Sequence, residues 1–197
     1  HIGGELVRML GIDPGLTATG WGVVSLDGQR LVHHAHGVIK TTPRQSDPHR
    51  LNLLGDGLFG VIAEFAPDAA AIEDIFMNNN ARSALRLGMA RGVAIYATAR
   101  HQLPLTEISA RAVKQAVVGS GSADKEQIAY MVSRILAITI TAGDSADALA
   151  IAISGLHGSG ISLTDRHQRV QAAKKDKFSA NPALASAIEA ALEKQKD

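Results

Sequence analysis

Four carboxylates in this 197-residue chain stand where an acid needs a partner. Asp13 breaks an apolar run, with Leu10, Gly11 and Ile12 before it and Trp21 to Val24 resuming the pattern. Glu73 closes the apolar stretch AAAIE, and Asp144 and Asp147 lie three apart at the start of an alanine-rich helical segment. That spacing puts the last two on one helix face. In an α/β sheet, strand ends and helix starts gather along one rim, where ligand sites form. Four acids on that rim repel one another unless a cation balances them. A hard divalent ion is the natural balance, and Mg²⁺ suits it because it keeps waters and meets phosphates. Two such ions about 4 Å apart can activate a water and stabilise the leaving oxygen in phosphodiester hydrolysis. Each acid also has a plain structural reading. Asp13 could shape a hairpin turn with Pro14 and Gly15, Glu73 could face solvent, Asp144 could cap its helix, and Asp147 could be a favourable first-turn charge.

The elements that must position these acids follow from the pattern of apolar residues. Segments 7–13, 20–26 and 31–40 read as strands, with Asp27-Gly28 turning the second into the third. Leu51, Leu54, Leu58, Val61 and Ile62 recur at helical spacing, and Pro67-Asp68 ends that helix. A short buried strand follows at 69–74. Asn78 to Asn80 offer caps for a helix over 81–101, in which Ala84, Gly88 and Gly92 permit close packing. A strand at 103–109, a helical stretch from Ala110, a GSGS break at 119–122 and a helix over 124–136 precede the segment GDSADALAIAISGLH at 143–157, read as a helix capped by Asp144. The sum is an α/β fold with a mixed sheet flanked by helices. It occupies residues 7–158, followed by a polar tail, 159–197, in which Leu184, Ile188, Ala191 and Leu192 could form a short amphipathic helix. His33, His34 and His36 fall on the third strand. Strict alternation keeps His33 and His34 apart and lets His34 and His36 share a face, read as solvated rather than metal-binding.

Composition narrows the class. The chain has no cysteine, which excludes disulfides and thiolate metal sites and is compatible with a reducing cytosol. No apolar run is long enough to span a bilayer and no signal-peptide pattern opens the chain, so a cytoplasmic location is expected. The opening HIGGEL reads as a leftover of expression and is left out of the fold. The net charge of +1 is unevenly spread. Residues 82–134 carry eight basic side chains against Glu107, Asp124 and Glu126, which fits a polyanionic partner.

Four blocks, LGIDPGLTATGWGVV, AIEDIFMNNNARSALRLGMARGVAI, RAVKQAVVGSGSADKEQI and DSADALAIAI, stand in the order and spacing of the RuvC family of Holliday-junction resolvases. The resemblance covers about residues 7–158. It implies an RNase H-like fold, a homodimer, and paired, symmetric, metal-dependent nicking of four-way DNA junctions in recombination and repair. The implied ends are a 5′-phosphate and a 3′-hydroxyl, and the implied ions are Mg²⁺, two per site, with Mn²⁺ as a substitute. A branch-migration helicase partner (RuvA, RuvB) is implied as well. The family's acidic quartet falls on Asp13, Glu73, Asp144 and Asp147, all acids here. Phe76 matches an aromatic placed against bases near the crossover, and Lys114 and Lys125 match basic positions tied to DNA binding and cleavage. Physically, Phe76 can stack on any unpaired base and the lysines can meet phosphates.

Two other readings compete. DPGLTATG resembles the phosphate loop of actin-like ATPases and sugar kinases, but the chain offers no second such block. A non-catalytic junction-binding module on the same fold would be marked by loss of one of the acids, and all four are present.

Overall fold

The computed structural model describes residues 6–74 and 80–158. Phe76 and the tail from residue 159, with its expected short helix, lie outside them. A five-stranded sheet forms the centre, in the order β3-β2-β1-β4-β5. Strands β1 (Val7–Asp13), β2 (Ala18–Asp27) and β3 (Arg30–Lys40) make an antiparallel meander. Gly28, at φ 61°, takes the first position of the two-residue turn between β2 and β3, where a positive φ is needed. β4 (Ala69–Glu73) and β5 (Leu105–Ile108) then add parallel to β1. Their crossovers are helices α1 (Asp47–Phe65) and α2 (Ala81–Arg100). After β5 come α3 (Ala110–Val118), α4 (Lys125–Leu136) and α5 (Asp144–Gly158). The mixed sheet flanked by helices is thus as expected.

The helices start where the sequence supplies caps. Asn80 accepts from the backbone N–H groups of Arg82 and Ser83, and Ser109 from that of Ala112. Asp124 and Gln127 close a reciprocal capping box at the head of α4.

Alternation along β1 divides the core in two. Leu10 and Ile12 face α1 and α2, packing with Leu54, Leu58, Ala90 and Ala94. Met9 and Gly11 face the other way, where Leu149 to Ile153 of α5 join residues of α3 and α4. α5 lies almost in contact with the sheet. A Cβ added to Gly11 would stand 2.0 Å from the Ala148 carbonyl oxygen, and one on Gly22 would stand 2.6 Å from the Leu149 side chain. Gly22 is the ladder partner of Gly11, so these two glycines form a trough for the helix. The alanines of α5 match it from the other side.

A buried arginine holds the turn after β1. Arg50 of α1 is 3% exposed; its Nε donates to Thr41 Oγ1 and its Nη2 to Thr17 Oγ1, both at 2.9 Å.

The histidines depart from the sequence expectation. β3 carries a bulge opposite Val23 and Val24, whose ladder partners are Ala35 and His33, so His34 is the extra residue. The bulge reverses the alternation. His33 and His36 meet on one face, 2.8 Å between ring nitrogens, and His34 bonds Ser25 Oγ. The expected sharing of a face by His34 and His36 is therefore corrected.

The trough yields a stability prediction. Gly11→Ala forces α5 off the sheet and costs about 3 kcal/mol, a drop of roughly 10 °C in Tm. Gly60→Ala, on an exposed stretch of α1 where the new Cβ meets nothing within 4 Å, raises stability by about 0.5–1 kcal/mol. Thermal melts of the two variants check both signs.

Candidate metal centre

Asp13 is the last residue of β1, in phase with Met9 and Gly11 on the α5 face. β4 runs parallel beside it in the register Gly11↔Ala71 and Ile12↔Ile72, so the next step sets Glu73 beside Asp13. The third contribution comes from the head of α5. Gly20, the ladder partner of Asp13, has no Cβ, and one placed there would stand 2.0 Å from the Asp144 carbonyl oxygen. The first turn of α5 is thereby seated on the strand pair that ends at Asp13. Asp144 does not cap this helix, as the sequence suggested. It is the first helical residue, and the Gly143 carbonyl accepts from the Asp147 N–H at 3.0 Å. Both carboxylates lie in the first turn, where the positive end of the helix favours them.

A cavity of about 390 Å³ opens where these elements meet. Asp13, Glu73 and Asp147 line it, together with Lys114 from α3 and Lys125 from α4. Asp144 is outside the lining but acts on Asp13 through its charge.

The electrostatics record a surplus of negative charge. Burial lifts the Asp13 carboxyl from its ordinary 3.8 to about 7, and the charges of Asp147, Glu73 and Asp144 push the same way. Glu73 is also raised, by burial first and then by Asp147, with Lys125 and Lys114 opposing. One cation is already among the acids. Lys125 Nζ lies 2.9 Å from Asp147 Oδ2, and this hydrogen bond, reinforced by the charge of Asp147, raises the lysine's own pKa. Among the described residues, no three His, Cys, Asp or Glu side chains are by themselves gathered around a point that would hold an ion. The donor chemistry nevertheless fits a hard divalent cation. The donors are all carboxylate oxygens, one has its charge suppressed by burial and by its acidic neighbours, and an ammonium group serves as counter-ion.

The structure thus brings Asp13, Glu73, Asp144, Asp147, Lys114 and Lys125 to one rim, while Phe76 lies outside the described residues. It also adds a residue that sequence reasoning missed. Arg91 of α2 donates from Nη1 to the Glu73 main-chain oxygen at 3.2 Å and pairs through Nη2 with Glu107 of β5. It fastens the ends of β4 and β5 next to the site. Nothing in ARSALRLGMARG distinguishes Arg91 from its neighbouring arginines, because its partners come from other strands.

Comparison with known proteins gives concordant results. The family model for crossover junction endodeoxyribonuclease RuvC matches residues 9–155. The chain is 50% identical over 152 residues to the protein of that name from Granulibacter bethesdensis, covering 77% of this chain and 85% of the relative. It is equally identical over 149 residues to the one from Caulobacter sp. strain K31, covering 75% and 88%. Among solved structures, Thermus thermophilus RuvC in complex with a Holliday junction substrate aligns with a TM-score of 0.71 at 33% identity, over 75% of this chain and 92% of that one. The yeast mitochondrial Holliday junction resolvase Ydc2 aligns over 76% and 78% with a TM-score of 0.56 at 18% identity, a likeness of fold. The sheet and its flanking helices are those of the RNase H-like fold.

The raised Asp13 carboxyl predicts how stability follows pH without metal. Between about pH 4 and pH 7 the folded state holds a proton that the unfolded chain has released, so stability falls as pH rises through that window. Each pH unit of displacement corresponds to roughly 1.4 kcal/mol, which sets an upper bound of a few kcal/mol. Asp13→Asn removes the penalty. In chelator at pH 8 it melts above the parent, and the gap closes near pH 4. Equal melting at pH 8 would show that Asp13 carries no such penalty.

Proposed function

This chain belongs to the RuvC family of crossover junction endodeoxyribonucleases, and from that premise we propose that it resolves four-way DNA junctions by paired, symmetric phosphodiester hydrolysis at the rim formed by Asp13, Glu73, Asp144 and Asp147. The observation that carries this reading is the meeting of two strand-end acids, a helix-start acid and two lysines in one cavity. A divalent metal is the cofactor the family implies, and we assign it as Mg²⁺, two ions per site, held by the four carboxylates. Bound there, it supplies an activated water and a charge that offsets the leaving oxygen, giving 5′-phosphate and 3′-hydroxyl ends.

The chain's own residues do the rest. Asp13 and Glu73 ride on central strands, so their carboxylates are held in place before DNA arrives. Asp13 must give up its proton to act as a ligand, so loading strengthens as pH rises. Lys125, whose side chain is 72% exposed, forms its ion pair with Asp147. It can exchange that carboxylate for a DNA phosphate once the acids are balanced by metal. Lys114, on the neighbouring wall, presents a second ammonium to the backbone.

Two cuts require two sites, and one chain carries one quartet. We assign the pairing face of a homodimer to the outer stripe of α2. Leu85 is 66% exposed and Tyr96 57%, and Gly88 and Gly92 between them have no neighbour within 4 Å of an added Cβ. The same glycines therefore do not serve packing within the described chain. A two-fold pair matches the two equivalent strands of a four-way junction.

Neutralising the acids separates chemistry from binding. Asp13→Asn and Glu73→Gln each lower junction cleavage at least about a hundredfold while leaving junction affinity nearly unchanged. Cleavage and gel-shift assays on one synthetic junction, with melts confirming the fold, check this. Cleavage near the parent rate in either variant sinks the quartet assignment, and a parent that binds without nicking favours the non-catalytic module.

Pairing is tested on a cruciform plasmid. A dimer that cuts both strands in one encounter yields linear DNA, and Leu85→Glu on the α2 stripe shifts the product to nicked circles while sedimentation shows monomer. A parent that sediments as monomer and gives mainly nicked circles refutes the homodimer.

A further inference from the structure

A second cavity opens beside the acidic one and shares Ala110 and Lys114 with it. Its wall is of the opposite character. Arg111 and Lys114, three apart on α3, line it together with Ser109, Ser120 and Ser122, and no carboxylate residue lines it. Among the described residues, neither cation is engaged in an ion pair. Elsewhere in the basic span, Arg91 and Lys125 are both paired with acids.

The loop closing this cavity is shaped around the arginine. α3 ends in Gly119, at φ 79°, and the chain turns back so that Gly121 lies on the Arg111 stem. A Cβ on Gly121 would stand 2.9 Å from Arg111 Cγ and 3.3 Å from its Nε. Ser120 and Ser122 hold the turn through their hydroxyls, 3.0 Å apart. The absence of a side chain at 121 thus lets the loop lie against the guanidinium stem of an arginine that lines the cavity. An open, carboxylate-free pocket with an arginine fork, an ammonium and hydroxyls has the chemistry of a phosphodiester site.

We propose that this pocket seats a DNA backbone phosphate next to the scissile one, with Arg111 as its binding residue and Gly121 as the support that aims it. Lys114, on the shared wall, contacts the strand between the two positions. The proposal rests on the nuclease reading above and adds a register to it. The strand that meets the acids is also held one cavity away, so the cut falls at a fixed distance from an anchored phosphate.

The test is a scan of single methylphosphonates along the cleaved strand of a synthetic junction, replacing one backbone charge at a time on either side of the cut. In the parent, one neutral position weakens binding about tenfold, the worth of a charge-assisted contact. Arg111→Ala loses about as much on the unmodified junction and nothing further at that position. Arg111→Lys recovers part of the loss, and Gly121→Ala shows a smaller loss at the same position. If Arg111→Ala binds the unmodified junction as the parent does, or stays sensitive at every position where the parent is, the pocket assignment is overturned. Cleavage by the parent then still supports the nuclease reading. A parent that shows the coupling in binding but makes no cut overturns the nuclease reading alone and leaves the pocket as a DNA-binding site.

Discussion

The seating of α5 on the glycine trough of β1 and β2 is the contact on which the rest depends. Gly11 and Gly22 remove the side chains that would hold helix and sheet apart, and Gly20 continues the trough to the point where β1 ends in Asp13. The alanines of α5 complete the fit. Because this approach is so close, the first turn of α5 lands over the strand ends, and acids about 130 residues apart in sequence come to share one electrostatic environment. A bulkier trough would preserve the sheet and the helix individually and still separate the acids. The small residues are therefore part of the site, although none can take part in chemistry.

That convergence has a cost within the metal-free fold. Burial and three neighbouring carboxylates drive Asp13 to a pKa near neutrality, and Lys125 neutralises only part of the surplus through Asp147. Local consistency between residue and environment is given up at this rim and kept elsewhere, as expected where function rather than stability selects the residues. The division of surroundings is equally sharp. One cavity collects the acids with cations at its edge, and the adjoining one has cations and hydroxyls without acids. Lys114 belongs to both walls and stands at the boundary between them.

Much of this was legible in the sequence because it is local. The five strands, the helix start at Asn80, the Ser-Gly break at 119–122 and the apolar approaches to Asp13 and Glu73 all follow from periodicity and capping chemistry. The acids could be grouped by the rule that strand ends and helix starts share a rim. What escaped was set by contacts between distant segments. A single bulge reversed the faces of the histidines, Gly143 rather than Asp144 took the cap position of α5, and Arg91 acquired partners on two other elements. Lys125 was expected to meet DNA, but its pairing with Asp147, 22 residues away, appears only once the fold puts the two side by side.

The placement of Arg91 gives α2 two roles at once. Its inner face sends a guanidinium to the Glu73 main-chain oxygen and to Glu107, fastening the parallel half of the sheet where it supplies an acid to the site. Its outer face carries the Leu85–Tyr96 stripe assigned to pairing. The helix that would meet a second copy is thus the same one that holds the end of β4. β1 and β2 are instead positioned by α5 and α1: α5 packs into the glycine trough, Arg8 of β1 donates to the Phe65 main-chain oxygen, and Arg50 pins the turn between the strands. Pairing would therefore bear on Glu73 rather than Asp13. One acid is set by the fold of a single chain, and the other stands one arginine away from the face across which two chains would meet.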